Sequence, residues 1–232
     1  MLDTPRLITF SGIMLILLAT LVGCRAESER KEIKTHEVNM LTTPMRLYII
    51  VGSVRPTGTA DKIANNIKQV LDRRPEVAAE IVFVGDYALP FYTDTIAPAE
   101  RKDEITDPVL KKWSDKIKQA DAYILLSPVY NAGYPAPLKN ALDSLYKEWN
   151  NKPVAFVGYS GGPSGGTSTL AQLRQVAQAF KMIPVAAEVK IPYSWKAFNE
   201  QGDLINLDTL ATEFNTVADQ LLAAHNVAQQ TK

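Results

Sequence analysis

The feature that most constrains this chain is a regular alternation between two kinds of apolar pattern after residue 45. Short, nearly continuous apolar runs are typical of strands buried on both faces, and apolar residues spaced three or four apart are typical of amphipathic helices. The runs lie at residues 47–51, 80–84, 122–126, 153–157 and 185–189, and the stripes lie within residues 63–71, 109–117, 138–145, 170–180 and 207–221. Because parallel strands need helical crossovers, the alternation predicts an α/β fold, with a doubly wound five-stranded parallel sheet between two helical layers.

Ligand sites in such sheets lie outside the carboxyl ends of the strands, at the point where the strand order reverses. Three loops that follow predicted strands, after Val51, Leu126 and Val157, are rich in Gly, Pro, Ser, Thr or Asn. The connection over residues 85–105 is longer than most in a compact domain, which makes it a candidate functional loop. We therefore expect the functional site at this edge of the sheet.

The first loop (residues 52–59) carries the donors that a phosphate group needs. A guanidinium, several hydroxyls and free backbone N–H groups converge at a predicted helix start, where the helix dipole favours an anion. The loop has neither a Walker motif nor G-x-G-x-x-G, so it suits a terminal phosphate monoester better than a dinucleotide. The alternative is an ordinary capped turn with a surface arginine. The candidate phosphate-binding residues are Ser53, Arg55, Thr57, Gly58 and Thr59.

The second loop (residues 127–135) reads Ser-Pro-Val-Tyr-Asn-Ala-Gly-Tyr-Pro. Its two tyrosines, its asparagine and its small or imino residues predict a rigid, partly apolar shelf that suits a planar aromatic ligand. The alternative is a turn whose tyrosines only cover the rim of the core. The candidate residues are Pro128, Val129, Tyr130 and Asn131.

The third loop (residues 159–166) contains four glycines, which free the backbone to direct amides at a ligand. Residues 162–166 also match G-x-S-x-G, the nucleophile elbow of hydrolases, with Ser164 as the serine. The elbow should follow its strand tightly, whereas three residues intervene here, and the downstream histidine, His225, lies in the chain's tail. A serine hydrolase is therefore the weakest of the functional hypotheses.

A phosphate site, a flat shelf and an amide-rich loop in this order together suggest flavin mononucleotide (FMN), which binds at the switch point of flavodoxin-like sheets. At these residues the sequence resembles the NADPH-dependent FMN reductase family, which includes quinone, azo-dye and chromate reductases. The resemblance covers residues 45–207. It rests on Gly52-Ser53-x-Arg55-Pro56, Asp121-Ala122-Tyr123 leading into Pro128-x-Tyr130-Asn131, Pro137-x-Lys139-Asn140-Ala141-Leu142-Asp143, Glu148-Trp149-x-x-Lys152-Pro153, Ser160-Gly161-Gly162-x-Ser164-Gly165-Gly166 and Ile191-Pro192.

The resemblance implies a flavodoxin-like fold and specific roles for the three loops. It places the FMN phosphate on Ser53, Arg55 and residues 57–59, the isoalloxazine ring against residues 128–131, and the ring's polar edge on residues 160–162. The chain departs from the family at Val129, where many relatives carry Glu, and at residues 57–59, which replace a Ser or second Arg. Family members are usually dimers or tetramers, so the resemblance also implies a homo-oligomer.

The functional hypothesis that follows is an FMN-dependent oxidoreductase. It would pass hydride from NADPH or NADH through FMN to a quinone, flavin, azo compound or similar acceptor. A cofactor that carries the chemistry explains how a chain with one cysteine and two histidines can be an enzyme. The same composition excludes a disulfide framework and the usual structural zinc site. The alternative from another class is a flavodoxin-like electron-transfer module without turnover of its own.

Zero formal net charge and the lack of a basic stripe argue against nucleic acid as the main partner. The acceptor that the reductase hypothesis implies is a small molecule.

The amino-terminal residues 1–44 form a leader and polar linker that precede the predicted catalytic domain, residues 45–232. An apolar run over residues 7–23 ends in Leu-Val-Gly-Cys, which resembles a lipoprotein cleavage box with Cys24 as the lipidated residue. The basic residues that follow the run instead favour a retained helix with a cytoplasmic catalytic domain, since positive flanks stay inside. A third interpretation starts the protein at Met40 or Met45. Membrane contact is expected only through residues 7–24, and only where this segment is retained.

Overall fold

The computed structural model describes residues 43–56 and 58–230, where five strands alternate with five α-helices. All neighbouring strands are parallel, in the order β2-β1-β3-β4-β5, which confirms the predicted doubly wound sheet. Two short 3₁₀ turns cover Val84–Tyr87 and Ser194–Lys196. The elements are β1 (Met45–Val51), α1 (Thr59–Leu71), β2 (Val77–Phe83), α2 (Pro108–Gln119), β3 (Ala122–Pro128), α3 (Ala136–Asp143), β4 (Pro153–Tyr159), α4 (Thr167–Ala179), β5 (Ile183–Ile191) and α5 (Leu207–Gln230).

The observed bounds differ from the predicted runs in all five strands, since β1 begins two residues earlier and β5 is two residues longer at each end. Strand β2 begins three residues before the predicted run, because its first half is built from alanines, which have little strand preference of their own, and Val84 already opens a 3₁₀ turn. Strands β3 and β4 each run two residues past their predicted ends, and Pro128 pairs with Tyr159. Ser127, Pro128, Gly158 and Tyr159 are therefore strand residues rather than loop residues.

The sheet is buried on both faces, as the continuous apolar runs predict. Helices α1 and α5 cover one face of the sheet, where they pack on Leu47 and Ile49 of β1. Helices α2, α3 and α4 cover the other face, where Tyr48 and Ile50 of β1 point. Residues of β1 therefore alternate between two separate cores, each closed by its own helices.

The direction in which the chain leaves each strand opens a crevice between β1 and β3. These strands are neighbours, yet β1 leads into α1 on one face of the sheet and β3 leads into α3 on the other. The two connecting loops therefore diverge, which is the arrangement that forms ligand sites in open α/β sheets. The turn into α3 is stiffened by Pro135 before the helix and Pro137 in its first turn, as predicted.

No helix among the described residues is both long and apolar enough to cross a bilayer. The apolar run over residues 7–23 and Cys24 lie outside the described residues, so the interpretations of the leader stay predictions.

The opposite edge of the sheet, at the amino ends of the strands, is joined by a multidentate contact between β1 and the start of β3. The Asp121 carboxylate accepts the Arg46 backbone N–H at 2.9 Å and its guanidinium Nε and Nη2 at 3.1 and 3.0 Å. Burial alone raises the pKa of Asp121, but the hydrogen bonds and charge of Arg46 outweigh it and lower the pKa below its ordinary value. Asp121 therefore stabilises the folded state when it is ionised.

We predict that Asp121→Asn lowers the free energy of unfolding at pH 7 by about 1–2 kcal/mol, because hydrogen bonds to a charged acceptor are lost while Arg46 is partly screened by solvent. A depressed folded pKa gives stability above the unfolded pKa of about 3.9, and that stability is lost as the pH falls through the folded value. The difference between variant and wild type should therefore shrink below about pH 4. Urea unfolding across this range measures it.

The matched control is Asp115→Asn, which breaks an exposed pair with Lys111 on α2 and should leave stability unchanged. An Asp121→Asn variant whose stability deficit stays constant down to acid pH would contradict the role of its charge.

Candidate functional site

Ser53, the second residue after β1, connects the first loop to the second. Its hydroxyl lies 3.1 Å from the Tyr130 hydroxyl and accepts the backbone N–H of Arg55 at 3.3 Å. Ser53 is itself buried, although it lies at the end of the sheet. The contact spans the crevice between β1 and β3, so the first two loops form one continuous surface.

Tyr159, the last residue of β4, brings the third strand end to the same place. Its side chain is buried, and burial raises its pKa to about 12, while the neighbouring Ser53 and Arg55 act in the opposite direction. The phenol therefore keeps its proton at physiological pH and is a hydrogen-bond donor beside Ser53. The sequence analysis placed Tyr159 in the third loop without predicting it as a site residue. Tyr159 could have been predicted from the sequence, because it is a tyrosine at the end of a strand that lies close to the switch point.

Helix α1 starts in a conformation that leaves its first turn open to an anion. Gly58 precedes the helix in the left-handed conformation (φ 71°), and no side chain of the described residues caps the helix. The exposed Arg55 guanidinium lies 5.8 Å from the centre of the Tyr130 ring, which holds its charge beside the crevice. The Asp61 carboxylate in the same first turn moderates this positive region. Thr57 lies outside the described residues, and Thr59 is the first residue of the helix.

The second loop is a tight turn rather than an irregular segment. Tyr130 and Gly133 exchange backbone hydrogen bonds at 2.8 and 3.0 Å, and the two residues between them, Asn131 and Ala132, are left-handed with φ of 49° and 67°. Two consecutive left-handed residues are the signature of a type I′ turn, which is rigid. The exposed Asn131 therefore stands at the tip of a fixed turn.

The two tyrosines of the second loop have different roles. Tyr134 packs against the core under α3, which is the alternative considered for this loop, whereas Tyr130 turns toward Ser53. Pro128 is buried as the last residue of β3, and the Val129 backbone N–H donates to the Tyr159 carbonyl at 3.0 Å. Tyr130 and Asn131 are therefore the predicted residues of this loop whose side chains reach the crevice or its rim.

The polar groups of Ser160 all bond within the protein. Its hydroxyl donates to the Gly162 carbonyl at 2.9 Å and accepts the Gly165 backbone N–H at 2.9 Å. Its backbone N–H donates to the Ile191 carbonyl, and its carbonyl accepts the Ser194 N–H. Ser160 therefore shapes the third loop, and its polar groups are occupied.

Gly161 and Gly162 differ from Ser160 because their backbone N–H groups donate to no acceptor among the described residues. A Cβ on either glycine would meet nothing within 4 Å, and neither residue has a left-handed φ. Neither backbone strain nor packing requires glycine at these two positions. What the glycines provide is an open approach to two unpaired amides at the strand end, which suits a planar ligand with acceptors on its edge.

The third loop can lie this close to the sheet because two other glycines meet. A Cβ on Gly166 would lie 2.6 Å from the Gly158 Cα, and Gly166 has a φ of 116° that other residues rarely adopt. This contact brings the start of α4 directly against β4. The four glycines of the loop therefore divide into two that allow close packing, Gly165 and Gly166, and two that leave the site open, Gly161 and Gly162.

The hydrolase hypothesis for Ser164 finds no support in this geometry. The Ser164 hydroxyl donates to the Ser160 hydroxyl at 3.3 Å. His225, the one histidine within the described residues, acts electrostatically on Asp121, at the opposite edge of the sheet. A general base for Ser164 is therefore not provided by any histidine in the described part of the chain.

The long connection between β2 and α2 is fastened next to the second loop. The Asn140 side-chain amide of α3 donates to the carbonyls of Leu89 and Pro90 and accepts the Tyr92 backbone N–H at 3.2 Å. Between these anchors Phe91 is 79% exposed. The predicted functional loop is thus fastened to α3, and two of its large apolar side chains, Phe91 and Ile96, face solvent.

Comparison with known protein sequences relates this site to flavin reductases. The family model described as NADPH-dependent FMN reductase matches residues 45–196. An NAD(P)H-dependent FMN reductase of Saccharomyces cerevisiae is 37% identical over 158 residues, which cover 64% of this chain and 82% of the yeast protein. A quinone reductase of Pseudomonas putida is 33% identical over 132 residues, which cover 55% of this chain and 66% of the relative.

Comparison with solved structures shows the same fold. The flavoenzyme NAD(P)H:(acceptor) oxidoreductase from Paracoccus denitrificans superposes with a TM-score of 0.61 at 22% identity, covering 80% of this chain and 98% of that one. An NADH:FMN oxidoreductase in its apo form superposes with a TM-score of 0.56 at 20% identity, covering 77% of this chain and 89% of that one. Both structures carry the flavodoxin-like arrangement seen here.

We predict that Gly166→Ala destabilises the domain by about 3 kcal/mol or more, because its Cβ overlaps the backbone of Gly158 and the left-handed φ is strained. For a domain of this size the melting temperature should fall by roughly 6–12 °C. Thermal unfolding followed by circular dichroism measures the change. Gly161→Ala in the same loop is the control and should melt like the wild type, since its methyl group meets open space. Equal melting temperatures for the two variants would refute the close-packing role of Gly166.

Proposed function

Because this chain belongs to the NADPH-dependent FMN reductase family, we propose that its three strand-end loops hold FMN at the switch point, where NAD(P)H and an electron acceptor reach it in turn. Membership of this family makes the chain an oxidoreductase that uses FMN and NAD(P)H. What the proposal adds is the role of individual residues. The observation that carries it is the juxtaposition of Ser53, Tyr130 and Tyr159 at one crevice, with the unpaired amides of Gly161 and Gly162 shortly after Tyr159 in the chain.

The phosphate end of FMN fits the first loop. Arg55 supplies the positive charge that offsets a phosphate, and the open first turn of α1 supplies backbone donors behind Gly58. Ser53 and Thr59 add hydroxyls, and Thr57 completes the predicted set. Tyr159, which stays protonated, holds a donor beside Ser53 and is an addition to that set.

The ring end of FMN fits the second and third loops. Pro128, Val129, Tyr130 and Asn131 form the shelf against which a planar ring lies, and Gly161 and Gly162 direct amide hydrogens at its carbonyl edge. Val129 brings no polar side chain where many relatives carry Glu, and its backbone N–H is bonded to Tyr159. We propose that Ser160 acts by fixing the glycines, since its own groups are occupied.

When bound, FMN supplies the hydride chemistry between NAD(P)H and the acceptor, so the protein needs no nucleophile of its own. The chain's residues bind and orient. Arg55 and the start of α1 fix one end, and the rigid Tyr130–Gly133 turn holds the shelf in one position. The amides of Gly161 and Gly162 stabilise negative charge that develops at the edge they face. A preformed FMN site of this kind can serve many acceptors, because its residues are held in place by the protein and not by contacts with the acceptor.

We propose a quinone, flavin, azo compound or similar small molecule as the acceptor. The quinone reductase among the sequence relatives supports this class.

We also propose that the chain forms a homodimer or homotetramer, as the family resemblance implies. A cytoplasmic catalytic domain is the proposal that the charges flanking residues 7–23 support.

We predict that Arg55→Ala weakens FMN binding about 10–100-fold, because a charge-assisted phosphate contact of about 1.5–3 kcal/mol is lost, while the fold stays intact. FMN retained after gel filtration and a fluorescence titration measure the effect, and circular dichroism confirms folding. Arg73→Ala, at the exposed far end of α1, is the matched control and should retain FMN fully. Wild-type FMN content in the Arg55 variant would show that the phosphate lies elsewhere.

We predict that anaerobic addition of NADPH bleaches the absorbance of the bound flavin without any other protein, and that a quinone then restores it. This result separates a reductase from an electron-transfer module, in which the hydride donor has no access to the ring. Stopped-flow absorbance measures both halves of the cycle. Bleaching that requires an added reductase would favour the electron-transfer module.

A further inference from the structure

A segment beyond β5 crosses the carboxyl edge of the sheet as a strap (residues 193–206). Its first end is tied to the third loop, since the Tyr193 backbone N–H donates to the Gly162 carbonyl at 3.0 Å and the Ser194 N–H donates to the Ser160 carbonyl at 2.9 Å. The strap therefore begins directly beside the two unpaired amides of the site.

The second end of the strap is tied to α1. The buried Asn66 side chain donates to the Gly202 carbonyl at 3.2 Å and accepts the Leu204 backbone N–H at 3.0 Å. The Lys62 ammonium also lies 5.4 Å from the centre of the Phe198 ring. Fixed at both ends, the strap places its intervening side chains in defined positions.

The strap exposes a tryptophan that no packing explains. Trp195 is 72% exposed, whereas Trp113 and Trp149 are completely buried. Tyr193, just before it, is held in the left-handed conformation with a φ of 48°, which is strained for a bulky residue. Backbone strain that presents a large aromatic side chain to solvent beside a binding site is a typical mark of a functional position.

A cation without a carboxylate partner lies on the same aromatic surface. The Lys196 ammonium lies 4.6 Å from the Tyr193 ring centre and 5.4 Å from the Trp195 ring centre. The nearby Lys190 is paired with Glu188 at 2.9 Å, but Lys196 pairs with no carboxylate among the residues that the structure describes. The strap therefore offers one exposed indole and one available positive charge side by side.

A groove lies next to this pair, between the end of β5 and the start of α5, and Lys196 is among the residues that line it. Tyr193 and Ile205 give it apolar walls, Asn206 and Thr209 give it hydrogen-bonding groups, and its charged side chains are Lys190, Lys196 and Glu213. Since Lys190 is paired with Glu188, Lys196 is the cation of this groove that pairs with no carboxylate among the described residues. An adenine base with phosphate groups combines the complementary features, because a base stacks on an indole and a phosphate pairs with an ammonium.

We propose that Trp195 and Lys196 form the subsite for the adenosine 2′-phosphate end of NADPH. The indole stacks against adenine, and the Lys196 ammonium pairs with the 2′-phosphate that distinguishes NADPH from NADH. The proposal rests on the function proposed above, since it assigns a place to the hydride donor of that reaction. It makes Lys196 a specificity-determining residue, and Trp195 a binding residue shared by both coenzymes.

Fragments that contain only the adenosine end test the subsite without touching the flavin. The purified FMN-loaded protein is titrated with 2′,5′-ADP and with 5′-AMP, and affinities are measured by calorimetry and by quenching of tryptophan fluorescence. We expect 2′,5′-ADP to bind about tenfold more tightly, since a charge-assisted contact is added. Quenching should come from Trp195, because the other two tryptophans are buried, and Trp195→Phe should abolish it while calorimetry still detects binding.

The variants separate the two roles. Lys196→Met should abolish the preference for 2′,5′-ADP and raise the KM for NADPH about tenfold with the KM for NADH unchanged. Trp195→Ala should weaken both fragments about tenfold, since base stacking is lost for each. Lys112→Met is the matched control and should change neither ratio, because Lys112 also lies over a tyrosine ring, 5.2 Å from the centre of Tyr87, but belongs to α2 outside the groove.

Other outcomes would overturn the assignment. These are equal binding of the two fragments by the wild type, a Lys196→Met effect that is the same for both coenzymes, or a Trp195→Ala effect confined to the KM of the acceptor or to the oligomeric state. FMN content and reduction by NADH, measured on the same samples, keep the tests distinct. A protein that binds FMN and oxidises NADH but shows no fragment preference loses only this proposal, whereas one that binds no FMN loses the function proposed above.

Discussion

The contact between Ser53 and Tyr130 depends on a single constraint, which is that β1 and β3 are neighbours while their helices lie on opposite faces of the sheet. The two loops have to diverge, and the crevice between them cannot be filled by either helix. A chain with buried parallel strands therefore obtains a ligand site from its topology alone. The specific residues decide what enters it, and here they place hydroxyls and a guanidinium at one end and open amides at the other.

The third loop shows how the same residue type serves opposite purposes. Gly158 and Gly166 are required because their backbones touch, so they bring α4 against the sheet and fix where the loop starts. Gly161 and Gly162 are surrounded by open space and have ordinary φ values, so packing gives no reason for them. Ser160 connects the two pairs, since its hydroxyl bonds to both halves of the loop. The loop is thus closely packed where it contacts β4, and it carries no side chains at Gly161 and Gly162, where its amides are open to a ligand.

How far the sequence predicted this arrangement depends on whether a residue's role is local. The alternation of runs and stripes predicted the five strands, five helices and parallel sheet, because buried strands and amphipathic helices leave patterns within a few residues. The ends of β2 and β4 were missed, because alanines conceal the first and strand pairing extends the second. The proximity of Tyr159 to Ser53 and the full occupation of Ser160 arise from contacts between distant segments, which spacing does not report. Thr57, Cys24 and the leader lie outside the described residues and stay predictions.

The charge pattern around the crevice explains why the chain needs so few ionisable groups for redox chemistry. Tyr159 stays neutral because burial raises its pKa to about 12, so it contributes a donor without a charge. Asp61 in the first turn of α1 offsets part of the positive charge that Arg55 and the helix start provide there. With the cofactor supplying the reactive atoms, selection among substrates falls to the segments around the crevice. The strap that presents Trp195 and the loop that Asn140 fastens around Phe91 are tied to the domain by hydrogen bonds, and each exposes an aromatic side chain to solvent.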